Sequence, residues 1–111
     1  MKTNTFIFFL SVIISIYTLQ CFAGENKTLI IFSADWCQYC QVAKNDINVH
    51  PELSETVKQY EVIVVDYDKD KDIVQGHNIK TIPAFLIYDK GKEQGRLIGY
   101  KGPQQLNSFL K

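Results

Sequence analysis

The sequence predicts an α/β domain in which a four-stranded mixed sheet carries helices on both faces, in the order βαβαββα. Two apolar, β-branched segments flank a helical stretch, which indicates a parallel unit of strand, helix and strand. The turn residues Lys90 and Gly91 then join two further strand-like segments into an antiparallel hairpin. Pro103 stands where a first helical turn tolerates proline, and it begins a closing helix.

Hydrophobic periodicity and turn residues give the individual elements. In chain order they are strand 28–33, helix 37–48, helix 52–59 after a break at His50-Pro51, strand 61–66, helix 70–77, strand 84–88, strand 96–100 and a closing helix that buries Leu106, Phe109 and Leu110. The strand 61–66 is apolar at four consecutive positions. This pattern predicts a central parallel strand that is covered on both faces.

Residues 1–23 are expected to be a signal peptide and not part of the domain. Lys2 gives a positive start, residues 6–19 are almost all apolar, and Cys21-Phe22-Ala23 resembles a cleavage site. An apolar run of about 14 residues is shorter than the roughly 20 that span a bilayer, which favours cleavage over a permanent anchor. We therefore predict that residues 24–111 form an exported domain, periplasmic or secreted. A membrane anchor from an uncleaved signal, or lipidation at Cys21, is the alternative.

The charge balance argues against nucleic acid and anionic lipid as partners. The chain carries 12 basic and 12 acidic side chains, and cleavage removes one of the basic ones, Lys2. The mature chain therefore has a formal charge of −1 and lacks the excess of basic residues that binds phosphates. The short mature chain has no room for a separate dimerisation segment, and a monomer is expected.

The predicted chemistry depends on Cys37 and Cys40, which lie between the first strand and the first helix. At a helix start, Cys37 faces unpaired backbone N–H groups and the positive end of the helix dipole, and both favour the thiolate. Cys40 returns to the same side nearly one turn later, within reach of a disulfide to Cys37. We predict a redox-active pair in which both cysteines are catalytic and Cys37 is the nucleophile.

Three other interpretations of this pair remain open. The first is a structural disulfide, although so short a loop restricts the unfolded chain little. The second is a metal site completed by His50 or His77, although zinc sites usually provide a second close pair of ligands. The third is a non-catalytic module that binds client peptides or Cu(I), although the only methionine, Met1, is lost with the signal. We expect no metal and no organic cofactor, because the two sulfurs carry the electrons.

Two motifs resemble those of the thioredoxin superfamily. The stretch from Phe32 to Cys40 is similar to its active-site segment, and Thr81-Ile82-Pro83 is similar to its cis-proline loop. The resemblance covers residues 27–111. It implies a thioredoxin-like fold and thiol–disulfide oxidoreductase activity.

The resemblance also implies a client-binding groove beside the cysteines. In the family the loop proline is cis and shapes the site, which assigns that role to Pro83, while the backbone of Ile82 pairs with an extended client. Gly99 corresponds to a glycine that lines the groove, although a bulge in an edge strand would also explain it. Trp36, in the turn beside Cys37, is expected to be partly exposed and to touch the client.

Two charged positions of the family are apolar in this chain. A buried acid six residues before the first cysteine is replaced by Ile31, and a lysine of the next strand corresponds to Val64. We expect both side chains to surround the cysteine pair with apolar groups. The proton acceptor for Cys40 is therefore open, with water and Asp35 as candidates.

The residues between the cysteines indicate the direction of electron flow. Gln38 and Tyr39 bring no positive charge to Cys37, so its thiolate is poorly stabilised and the pair is expected to be reducing. The predicted function is reduction or exchange of client disulfides, with a membrane electron donor restoring the dithiol. An oxidase or isomerase of exported proteins is the alternative.

Overall fold

A computed structural model describes residues 27–111, so the predicted signal peptide lies outside the described residues. The elements are β1 Lys27–Ser33, α1 Gln38–Val49, α2 Pro51–Val57, β2 Tyr60–Asp66, α3 Lys71–Gly76, β3 Ala84–Asp89, β4 Lys92–Ile98 and α4 Pro103–Leu110. Most agree with the predicted bounds to within two residues. The last strand differs, because it begins four residues earlier than predicted and ends at Ile98, before Tyr100.

The four strands form one mixed sheet in the order β2-β1-β3-β4. β1 and β2 are parallel, and the pairs β1 with β3 and β3 with β4 are antiparallel. Leu29, Ile31 and Phe85 pack against α1, α2 and α4 on one face. Phe32 and Leu86 pack with Val74 of α3 on the other face. This arrangement confirms the predicted α/β fold, with helices on both faces of a four-stranded mixed sheet.

The expectation that the second strand is central is wrong. β2 lies at an edge of the sheet and pairs with β1 alone among residues 27–111. Its apolar run is exposed at Val62 (40%), Ile63 (44%) and Val64 (53%), and only Val65 is buried. Four consecutive apolar residues are typical of a strand that is covered on both faces. Within residues 27–111, however, β2 has a neighbouring strand on one side only.

Two tyrosine hydroxyls tie the helices to the sheet. The hydroxyl of Tyr60 in β2 donates to the carbonyl of Leu110 at the end of α4. The hydroxyl of Tyr100, just after β4, donates to Asp46 of α1 at 2.6 Å. The second bond joins the active-site helix to the loop that contains Gly99. Among residues 27–111, no helix has both the length and the apolar character needed to cross a membrane.

Candidate active site

The cysteines lie where the chain leaves β1 and turns into α1. The N–H of Cys37 donates to the carbonyl of Ala34 at 3.1 Å, which closes the turn. Cys37 is the N-cap of α1, with extended backbone angles, and its Sγ accepts from the N–H of Cys40 at 3.2 Å. The sulfur thus occupies the position that a capping side chain usually fills, where backbone donors and the helix dipole favour negative charge. The predicted helix-start position of Cys37 is confirmed.

Cys37 and Cys40 are joined by a disulfide, with 5.2 Å between their Cα atoms. Both are buried, but Cys37 keeps 6% of its surface exposed and Cys40 only 1%. Ala34, Tyr67 and Ile82 pack around them. An attacking sulfur must reach Cys37 first, and the apolar surroundings disfavour a thiolate on Cys40.

Two aromatic side chains stand exposed beside the disulfide. Trp36 is 66% exposed and Tyr39 is 67% exposed. The indole Nε1–H of Trp36 donates to Oδ2 of Asp68 at 2.7 Å, which holds the ring in place across the turn. The predicted exposure of Trp36 is confirmed, while its contact with clients stays a prediction.

Asp68 is a residue of the site that the sequence analysis missed. It lies in a run of alternating charges that has the composition of a solvated loop. In the structure, β1 and β2 run parallel in register, so that Ser33 lies beside Asp66 and the loop after β2 reaches the turn after β1. The parallel pairing of β1 and β2 could have indicated Asp68, because the loops that follow two parallel strands lie at the same edge of the sheet.

Asp66 fixes the loop that carries Asp68. Its Oδ1 accepts from the backbone N–H groups of Asp68 at 2.9 Å and Lys69 at 3.0 Å. These two hydrogen bonds lower the pKa of Asp66 below its ordinary value, and the bond from Lys69 has the larger effect. The N–H of Tyr67 donates to the carbonyl of Ser33 at 2.8 Å and joins the loop to β1.

The cis-proline loop lies against the disulfide, as the resemblance implies. The peptide bond between Ile82 and Pro83 is cis, and Pro83 is fully buried. Ile82 packs against the cluster that holds the two cysteines. No hydrogen bond within residues 27–111 engages the backbone of Ile82. Its backbone groups are therefore free to pair with an extended chain.

Gly99 is held next to this loop. Its N–H donates to the carbonyl of Pro83 at 2.7 Å. Its φ of +86° lies in the left-handed region that favours glycine, and a Cβ built there would meet nothing within 4 Å. The bulge alternative is wrong, because the irregularity of the β3 and β4 pairing lies between Ile87 and Tyr88. Open space beside Gly99 is consistent with a groove.

Neither of the two apolar replacements belongs to the cluster of side chains that packs around the cysteines. Ile31 is buried in the core between the sheet and the helices. Val64 is its partner in the β1 and β2 register but is half exposed at the edge of the sheet. The expectation is therefore wrong for both residues, because Ile31 belongs to the core cluster and Val64 lies on an edge strand. Asp35, a candidate proton acceptor, is an exposed turn residue.

Both histidines lie at the ends of helices. His50 ends α1 and caps α2, where its Nδ1 accepts from the N–H of Leu53 at 3.3 Å. His77 follows α3 and lies between the rings of Phe32 and Tyr88, each with its centroid 5.7 Å away. The predicted helix break at His50 and the predicted helix end at His77 are confirmed.

Comparison with known proteins decides the family. The family model for thioredoxin matches residues 16–111. The chain belongs to the thioredoxin family. As a thioredoxin with a Cys37 and Cys40 disulfide, it is a thiol–disulfide oxidoreductase.

Several thioredoxins are similar to the chain in sequence. The thioredoxin of Mycoplasma pneumoniae is 29% identical over 84 residues, which cover 73% of this chain and 76% of that one. The thioredoxin of Oryctolagus cuniculus is 34% identical over 77 residues, 69% of this chain and 70% of that one. The mitochondrial thioredoxin-2 of Schizosaccharomyces pombe is 31% identical, but the match spans only 56% of its length.

Solved structures confirm the thioredoxin-like fold. A thioredoxin-fold protein from Helicobacter pylori has a TM-score of 0.71 at 22% identity, over 78% of this chain and 67% of that one. Thioredoxin NaTrxh from Nicotiana alata has a TM-score of 0.67 at 26% identity, over 77% of this chain and 70% of that one.

Proposed function

We propose that this thioredoxin is exported and reduces or exchanges disulfides of client proteins, with a membrane electron donor restoring its dithiol. Export is inferred from the sequence of residues 1–23, and the observation that carries the disulfide chemistry is the placement of the Cys37 sulfur. It caps α1 and accepts from the N–H of Cys40, next to the unpaired backbone of Ile82 and the exposed ring of Trp36. A nucleophile, a strand-pairing edge and an aromatic contact surface thus meet at one place.

The first step is attack on a client disulfide. An extended client segment pairs with the backbone of Ile82 and passes Gly99, which brings its disulfide to the Cys37 sulfur. The Cys37 thiolate attacks one client sulfur in line, so that a bond between Cys37 and the client forms while the client disulfide breaks. The displaced client sulfur leaves as a thiolate and takes a proton from water.

The second step releases the client. Cys40 loses its proton to water and attacks the Cys37 sulfur, the Cys37–Cys40 disulfide forms, and the mixed disulfide breaks. The second client sulfur leaves and is protonated. Two electrons have then passed from the domain to the client. Asp35 is the alternative proton acceptor, and its exposed position leaves it in contact with the same solvent.

The reducing direction is supported by what surrounds the two sulfurs. Gln38 and Tyr39, the residues between the cysteines, carry no positive charge. Cys40 is buried among apolar side chains, which penalise a thiolate. A poorly stabilised dithiolate makes the disulfide harder to reduce and the dithiol a better electron donor. The backbone N–H groups at the start of α1 have the opposite effect, because they stabilise a thiolate, but they act on Cys37 alone.

A redox titration against glutathione buffers tests the direction. Trp36 is the only tryptophan and lies beside Cys37, so its fluorescence reports the state of the pair. We expect a potential nearer to about −270 mV than to about −120 mV, the values of reducing and strongly oxidising relatives. A potential near the oxidising value would replace the reductase by the oxidase alternative.

Export is tested by the mass of the protein recovered from a bacterial host. We expect the loss of residues 1–23 and recovery outside the cytoplasm. The family match begins at residue 16, upstream of the predicted cleavage site. A retained N-terminus in the recovered protein would contradict the cleavage, and recovery from the membrane fraction would favour the anchored alternative.

A further inference from the structure

Among residues 27–111, the outer edge of β2 is an apolar strand edge without a partner strand. One side of β2 pairs with β1, and no strand within the described range pairs with the other side. The three central residues Val62, Ile63 and Val64 carry no charge, proline or bulge. The free N–H and C=O groups of such an edge are a template for another strand, and natural edges usually carry one of these protections.

The exposed side chains lie on both faces of the sheet. Val62 and Val64 continue the face on which Leu29 packs against α1, α2 and α4. Ile63 continues the opposite face, beside Ile30. An added strand would cover apolar groups on both faces at once, whereas a helix laid on one face would leave the other face in water.

We propose that β2 pairs antiparallel with β2 of a second copy of the chain, joining two sheets into one of eight strands. The proposal rests on the proposed cleavage after Ala23, which leaves only residues 24–26 before β1. Three residues reach about 10 Å at most. The outer side of β2 lies about two strand spacings, or roughly 10 Å, from β1. Residues 24–26 would have to be fully extended merely to reach the outer side, so none of them would remain to pair along β2.

A two-fold axis through Ile63 gives a register without charge conflict. A two-fold axis perpendicular to the sheet keeps each side chain on its own face, so only residues on the same face can lie opposite each other. Centring on Ile63 pairs the whole strand and places no like charges in opposition. The opposed pairs are Ile63 with Ile63, Val62 with Val64, Glu61 with Val65 and Tyr60 with Asp66.

The segments that flank β2 are complementary in charge. Lys58 precedes the strand, and Asp66 and Asp68 stand at its carboxyl end and beyond. An antiparallel arrangement brings the lysine of each copy towards the aspartates of the other. In the register displaced by one residue, Glu61 would stand opposite Asp66. That register is excluded, because the side chains of these two residues lie on opposite faces of the sheet.

Pairing through β2 leaves both disulfides uncovered, with Lys58 of each copy approaching Asp68 of the other. Each Cys37 lies at the carboxyl end of β1, and the two copies of β1 run in opposite directions in the joined sheet. The two disulfides therefore lie at opposite ends, and neither is covered by the partner. We expect the same insulin-reducing activity per chain in the monomer and in the dimer.

Sedimentation of the protein recovered from an exporting host tests the dimer. We expect the unaltered protein to shift from monomer to dimer as its concentration rises from micromolar to submillimolar. Ile63→Lys places two ammonium groups opposite each other and should keep the protein monomeric. Val49→Lys makes the same change at an exposed position on α1 and should dimerise like the unaltered protein. Dimerisation of Ile63→Lys would overturn the register.

Cross-linking tests the geometry directly, in a background where Cys37→Ser and Cys40→Ser remove the active-site thiols. Opposed residues of an antiparallel pair have Cα atoms about 4.5–5.5 Å apart, within the roughly 4.4–6.8 Å of a disulfide. Ile63→Cys should therefore form an intermolecular disulfide. The two copies of residue 61 would be four positions, or about 14 Å, apart. Glu61→Cys should remain reduced, and equal cross-linking of both variants would overturn the register.

The mass of the recovered chain separates the two proposals. A monomer that has lost residues 1–23 overturns the dimer and leaves the proposed export intact. A monomer that retains those residues overturns both proposals. Either monomer would agree with the oligomeric state expected from the sequence.

Discussion

The hydrogen bond from Tyr100 to Asp46 gives a prediction that links stability to the site. It joins α1, which begins at Cys37, to the loop that contains Gly99, and its length is 2.6 Å. Both side chains are half-buried. Tyr100→Phe removes the donor and leaves the ring in its contact with Phe85, whose centroid lies 6.2 Å away.

The expected loss follows from the charge of the acceptor. A hydrogen bond to a charged group contributes about 1.5–3 kcal/mol. Because Asp46 is only half-buried and regains water in the variant, we expect the lower end, about 1.5 kcal/mol. In a domain of this size each kcal/mol moves the melting temperature by about 4–8 °C, so Tyr100→Phe should melt roughly 6–12 °C lower.

The same contact makes stability depend on pH in the alkaline range. Burial, followed by the hydrogen bond to Asp46, raises the pKa of Tyr100 above its ordinary value. The folded state therefore holds this proton more tightly than the unfolded state, whose tyrosines titrate near pH 10. The contribution is complete below about pH 10 and is lost as pH rises through the folded pKa. The Tyr100→Phe variant has no hydroxyl at this position to ionise, so it does not lose this contribution to stability at alkaline pH.

Urea unfolding at neutral and alkaline pH measures both effects, and Asp46→Ala, which removes the acceptor, completes a double-mutant cycle. We expect the two single variants to lose similar stability and the double variant to lose little more than either. The difference between the unaltered protein and Tyr100→Phe should shrink above about pH 10. A loss below about 0.5 kcal/mol, additive in the double variant and constant with pH, would show that this hydrogen bond does not stabilise the fold.

Three further predictions concern the site. Cys40→Ser should accumulate mixed disulfides with clients and Cys37→Ser should not, because the first attack needs Cys37 and the release needs Cys40; gel shifts under non-reducing conditions show the adducts. Ser33→Ala removes a buried hydroxyl with no hydrogen-bond partner among residues 27–111, so urea unfolding should show a gain of about 1 kcal/mol. Asp68→Ala should change stability by less than about 0.5 kcal/mol but lower the fluorescence anisotropy of Trp36, whose indole loses its anchor.

Each of these predictions has a clear contrary outcome. Adducts on Cys37→Ser but not on Cys40→Ser would exchange the roles of the two sulfurs. A destabilised Ser33→Ala would show that the hydroxyl makes a contact that offsets its burial. Unchanged anisotropy in Asp68→Ala would show that packing, and not the hydrogen bond, orients Trp36.

Features set by short-range sequence could be predicted. Cys37 at a helix start, the hairpin at Lys90 and Gly91, and the helix break at Pro51 each depend on residues a few positions apart. Capping, turn geometry and the missing N–H of proline act over the same short distance. The identity of the elements and the central feature of the site therefore followed from the chain.

Features that depend on the order of the strands in the sheet could not be predicted from the sequence. The apolar run of β2 carries the same pattern whether one or two strands flank it, so the sequence does not tell an edge from a centre. That single error also misplaced Val64. The contact between Trp36 and Asp68 depends on two loops meeting at one edge of the sheet, which no local pattern encodes.

Reduction of insulin disulfides by the purified protein, with dithiothreitol as electron source, is the decisive assay for disulfide reduction by Cys37 and Cys40. The Cys37–Cys40 pair should accelerate insulin precipitation well above the rate with dithiothreitol alone, and Cys37→Ser should return the rate to that background. A protein no faster than dithiothreitol alone, or a Cys37→Ser variant as active as the unaltered protein, would show that the Cys37–Cys40 pair does not reduce disulfides.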